Sequence, residues 1–99
     1  MVDRKIIWTK VATKQFNKAI EYIKLDSEIQ ADKVRVTILN AILNLSNASI
    51  VHRINPLKKN NDGNYLYFEL LYYRIVYYKS ETEVFIIRIR HTKMEPKLY

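Results

Sequence analysis

The stretch Asn64–His91, NYLYFELLYYRIVYYKSETEVFIIRIRH, decides how this chain folds. It is dense in Tyr, Ile, Val and Phe, residue types that suit a pleated, half-buried surface, and it predicts three consecutive β-strands. Lys79-Ser80-Glu81-Thr82 supplies a hairpin connection between the second and third strands. The earlier turn, around Leu70-Leu71-Tyr72, lacks Gly, Asn and Asp and so departs from ordinary hairpin chemistry. An apolar tip of this kind is either a turn buried against something or a small docking patch.

Alternate side chains of a strand face opposite sides, so parity sorts the stretch into two faces. In the last strand Phe85, Ile87 and Ile89 are expected on the core side, leaving Arg88 and Arg90 together on the other. In the middle strand Tyr73, Ile75 and Tyr77 share one face, and Arg74, Val76 and Tyr78 the opposite one.

Working upstream, everything before this stretch reads as its cover. Arg4 to Trp8 is a short strand candidate, and Thr9 after it has the chemistry of a helix N-cap. Phe16, Ala19, Ile20 and Ile23 fall at i, i+3, i+4 and i+7, one apolar face of a first helix. Ser27 followed by Gln30 has the form of a capping box and opens a second helix. Val34, Ile38, Ala41, Ile42 and Leu45 give that helix its stripe, which Leu39 and Leu43 widen towards both the partner helix and the sheet. The helix is expected to end near Ser46 and Asn47, because Asn tolerates the left-handed conformation of a C-cap. Residues 48–64 read as an irregular basic loop carrying His52, Arg53, Lys58 and Lys59, with Asn55-Pro56 and the chain's single glycine, Gly63. The fold class is therefore α+β: an N-terminal strand, an antiparallel helical hairpin and a three-stranded antiparallel meander, all in one domain spanning residues 1–99.

Composition narrows the function. The absence of cysteine excludes disulfides and thiolate metal sites, and there is no Gly-rich phosphate loop or metal-ligand cluster, so no cofactor is expected. No apolar run is long enough to span a membrane, and the N-terminus lacks the pattern of a secretory leader, which points to the cytoplasm. Seventeen Lys and Arg against ten Asp and Glu give a net charge of +7, a balance that favours an anionic partner. Of the two histidines, His52 reads as a surface residue of the basic loop and His91 as a core-edge residue matching the parity of Ile87 and Ile89. The remaining constellation is Arg74, Arg88, Arg90, His91 and Lys93, with Tyr65, Tyr67, Tyr72 and Tyr78 nearby. Cations interleaved with aromatics on a sheet hold phosphates and stack bases, and they also suit metal-independent RNA cleavage. Equally, such residues form a solvated cationic face in which arginine stems lie on tyrosine rings.

The order strand, helix, helix, three strands, with Tyr73-Arg74-Ile75-Val76-Tyr77 and Ile87-Arg88-Ile89-Arg90-His91-Thr92, resembles the RelE/ParE superfamily of toxins from bacterial type II toxin–antitoxin modules. The likeness covers nearly the whole chain and includes Asn55-Pro56-Leu57 in the loop. It implies a small basic toxin masked by a cognate antitoxin. Within the superfamily, RelE-like members cut messenger RNA on the ribosome, whereas ParE-like members poison DNA gyrase. Carried over by position, Arg74 matches the middle-strand arginine of the ribonucleases. Tyr65 and Tyr67, or Leu66 and Phe68 in the alternative register, stand where those enzymes carry lysines. The position after the last strand falls near Thr92, with Lys93 the closest cation, and Tyr99 is the candidate C-terminal tyrosine. The resemblance thus implies a gyrase-directed toxin, with Arg74, Arg88, Arg90, Lys93, Tyr65 and Tyr67 contacting the target. The alternatives are a ribosome-dependent endoribonuclease using Arg74, Arg88, Arg90 and His91, and a non-toxic nucleic-acid-binding module.

Overall fold

The computed structural model describes residues 4–47, 52–54, 56 and 62–94. Asn55, Leu57, Lys58, Lys59 and Tyr99, singled out above, lie outside the described residues, as does the side chain of Arg53. The chain runs β1 (Lys5–Trp8), α1 (Lys10–Lys24), α2 (Glu28–Leu43), β2 (Arg53–Ile54), β3 (Tyr65–Leu70), β4 (Tyr73–Lys79) and β5 (Glu83–His91), with short 3-10 turns at Asn44–Ser46 and Thr92–Met94. The strands form one five-stranded sheet in the order β1-β5-β4-β3-β2. The meander β3-β4-β5 is antiparallel throughout, and β1 returns to its outer edge parallel to β5. This is the expected α+β architecture, with one strand more: Arg53 and Ile54, inside the segment read as irregular, pair with Tyr67 and Leu66.

Local chemistry starts both helices where expected. The Thr9 hydroxyl accepts from the Ala12 amide at 3.2 Å, and the Ser27 hydroxyl accepts from Gln30 at 3.1 Å. Residues 25–27 join the helices, and α1 lies directly against β5. The core is a single cluster: Ala12 and Phe16 from α1, Val34, Ile38 and Ile42 from α2, and Leu66, Ile75, Tyr77, Val84, Ile86 and Ile89 from the sheet. Each buried Ile or Val in it contributes about 1.5–3 kcal/mol through loss of water-exposed apolar surface. Two details of α2 depart from expectation. Leu43 is exposed, because the stripe that meets the core is the Val34, Ile38, Ile42 side. The helix ends in a 3-10 turn that leaves Asn47 extended at φ −74°, so no left-handed cap is used.

The parity of β5 is the main correction. The ladder pairs Val76 with Arg88 but Tyr77 with Ile86, so Ile87 is an extra residue in β5, a β-bulge. Before it the even residues Val84 and Ile86 face the helices, and after it Ile89 does. Phe85 is thereby moved to the side away from the helices, where its ring lies 6.3 Å from Tyr78. Residues of α1 bond the backbone around the bulge. The Ile86 carbonyl accepts from the Thr9 amide at 3.2 Å and the Thr9 hydroxyl at 2.7 Å, and the Ile89 amide donates to Gln15 Oε1 at 2.8 Å. Thr9 thus caps α1 and ties that helix to β5. Thr9→Val, which removes the cap and the hydroxyl bond to Ile86 but keeps the amide bond, is expected to lower stability by about 1–2 kcal/mol, the scale of a lost cap. Urea unfolding measures it, and Thr9→Ser should restore most of the loss.

The β3-β4 connection is a two-residue turn, since Leu70 pairs with Tyr73. Leu71 and Tyr72 both take positive φ, 52° and 69°, the requirement of a type I′ turn. Asn and Gly normally occupy those positions, and an ordinary side chain in the left-handed region costs about 1–2 kcal/mol per residue. Pairing on both sides holds the turn, as does a bond from the Thr92 amide to the Tyr72 carbonyl at 2.8 Å.

Candidate functional site

With the bulge placed, the sheet's helix-free face resolves into rows running across the strands. One row is Tyr65, Tyr78, Phe85 and Ile7; the next is Tyr67, Val76 and Arg88; the third is Glu69, Arg74 and Arg90. Four sequence-predicted residues, Tyr67, Arg74, Arg88 and Arg90, therefore meet on one surface. Tyr65 stands one row away, its ring edge-on to Tyr78 at 4.9 Å.

The cations of this face lie flat on it. Arg74 is only 9% exposed and Arg88 8%, and the Nε atoms of Arg74, Arg88 and Arg90 are all shut off from solvent. The Arg74 guanidinium sits 3.7 Å above the centre of the Tyr67 ring, a cation–π contact, and 3.8 Å from the Glu69 carboxylate. Among the described residues, Glu69 is a charged contributor that sequence reasoning missed. Its signal was parity, two residues beyond Tyr67 on the same face. Val76, between these side chains, is 1% exposed although no helix covers it. Arg74 and Arg90 are direct cross-strand partners. Glu69 beside Arg74 offsets part of the repulsion that like charges so placed would otherwise have.

Neither histidine joins the face. His91 pairs with Tyr73 on the side of Ile75 and Ile89, its ring edge-on to Tyr73 at 5.2 Å, and its Nδ1 accepts from the Lys93 amide at 3.1 Å. Lys93 itself is exposed in the 3-10 turn beyond β5. His52 is not the surface loop residue expected. It is half-buried beside β3, stacked on Phe68 at 4.8 Å, with Nδ1 2.6 Å from the Tyr77 hydroxyl. Burial pushes Tyr77 up to about 12 and lowers His52. The phenol therefore stays protonated and shares a hydrogen bond with a neutral imidazole. As pH falls below the ordinary histidine value of 6.5, the unfolded chain takes up a proton before the folded one, so stability declines. His52→Gln is expected to flatten this acid limb in unfolding curves between pH 7 and 5, intervals set by the ordinary histidine range.

Among the described residues no group of three or more His, Asp or Glu could hold a metal ion. No described helix is long and apolar enough to cross a membrane. The arrangement is instead a shallow cationic and aromatic surface suited to holding an anion.

Comparison with known proteins agrees in fold and sequence. Residues 6–96 match the family model described as ParE toxin of type II toxin–antitoxin system, parDE. No curated protein matches significantly in sequence. Among solved structures, a chain of the chromosomal ParDE TA system from P. aeruginosa superposes with a TM-score of 0.72 at 16% identity, covering 89% of this chain and 95% of that one.

Proposed function

Because this chain belongs to the ParE toxin family of type II toxin–antitoxin systems, we propose that it arrests growth by binding DNA gyrase through the Tyr67, Arg74, Arg88 and Arg90 face. A cognate antitoxin is its physiological partner, neutralising it by covering that face. The observation that carries the reading is the row Glu69, Arg74 and Arg90, where two arginines are held directly opposite each other. A row with two arginines to one carboxylate carries net positive charge, which steers and holds an anionic surface of a partner.

Binding is favoured over RNA cleavage by where His91 lies. A ribonuclease built from Arg74, Arg88, Arg90 and His91 requires all four at one phosphate, yet His91 faces the helix side with Tyr73. The carboxylate in these rows, Glu69, is next to Arg74. The test is to induce the chain alone in a bacterium and record which process fails first. DNA-damage signalling and loss of plasmid supercoiling, prevented by co-expression of the antitoxin, are expected. Early translation arrest with messages cut at the ribosome would favour the enzyme instead.

A further inference from the structure

Leu71 and Tyr72 combine three properties that a purely structural turn does not need. They occupy both left-handed positions of the two-residue turn, they are among the residue types that suit it least, and they remain 42% and 77% exposed. Strain retained without burial is characteristic of binding elements rather than of packing. The surroundings specify what is bound. Arg74 and Arg90 stand one ladder pair from the turn, with Glu69 opposite Arg74, and Lys93 lies in the 3-10 turn whose Thr92 amide bonds the Tyr72 carbonyl, so three cations face one carboxylate. The Tyr72 ring lies nearly parallel to that of His91, 17° apart with centroids at 6.4 Å, so its outward side remains open. The tip is thus an apolar finger in a cationic collar.

We propose that Leu71 and Tyr72 are the anchor by which this protein grips its inhibitory target, inserting into an apolar recess rimmed by carboxylates on that target protein. Leucine has no face on which a base stacks, so the finger fits a protein recess better than a nucleic acid. Aromatic anchors filling such recesses carry a disproportionate share of binding energy, and the collar supplies charge complementarity to the acidic rim. Continuity with the cationic face lets one target engage both. The inference rests on the toxin reading above.

The test replaces the pair by the residues its backbone prefers, Leu71→Asn with Tyr72→Gly. This variant is expected to unfold at equal or higher urea concentration than the wild type, to bind the purified antitoxin with unchanged affinity, and to lose growth arrest by at least tenfold in surviving colonies after induction, a loss of the size produced by removing a binding hot spot. Leu71→Met with Tyr72→Phe, which keeps the finger apolar, should still arrest growth. A stable Asn-Gly variant as toxic as the wild type overturns the proposal. So does one that stays toxic but escapes the antitoxin, because the tip then belongs to the antitoxin contact. A wild type that does not arrest growth identifies a failure of the toxin reading itself, since that control does not depend on the tip.

Discussion

Ile86→Ala is expected to destabilise the protein by about 2–5 kcal/mol, a large share of the roughly 5–15 kcal/mol that holds a domain of this kind folded. Ile86 is fully buried, in the row Leu66, Tyr77, Ile86 and Trp8 beneath the helices, and its carbonyl takes two bonds from Thr9. Removing its side chain opens a cavity at the point where α1 is fixed to the sheet. Ile87→Ala one position on should cost less than half as much, because Ile87 is the bulged residue and only half-buried. Urea unfolding midpoints at constant m decide the order. Unbroken strand parity gives the opposite order, so a larger loss at Ile87 would contradict the placement of the bulge.

The second large effect separates function from stability. Arg74→Met with Arg88→Met keeps the apolar stems that cover Val76 and removes two positive charges from the face. The substitution gives up the ion pair of Arg74 with the half-exposed Glu69 and its cation–π contact with Tyr67, together worth about 0.5–2 kcal/mol. The variant should therefore stay folded, with its urea midpoint lowered only modestly, while losing growth arrest at least tenfold, as expected when the charges that capture an anionic partner are gone. Retained toxicity in a stable double variant would remove the face from the mechanism.

Much of this molecule was legible in its residues. Thr9 and Ser27 marked both helix starts because the cap is a local bond between a hydroxyl and an amide three residues on. Arg74, Val76 and Tyr78 were assignable to one face because parity within an unbroken strand is fixed by pleating. Parity failed at β5, where the bulge at Ile87 is bracketed by bonds from Thr9 and Gln15, residues more than seventy positions away. Nothing in the apolar pattern of Val84 to Ile87 records those partners. His52 was misplaced for the same reason: its ring stacks on Phe68 and bonds Tyr77, and the strand that follows it has only two residues, too short to show a period. The tip was recognisable as unusual from the missing Gly and Asn, while its left-handed geometry follows from the register that pairs Leu70 with Tyr73.

The most direct measurement of the central claim is ATP-dependent supercoiling of relaxed plasmid by purified gyrase in the presence of this protein. Wild type should inhibit the reaction, the antitoxin should relieve the inhibition, and the Arg74→Met, Arg88→Met variant should leave supercoiling at its full rate. Full-rate supercoiling at every concentration of a wild type that still arrests growth in cells would contradict gyrase as the target.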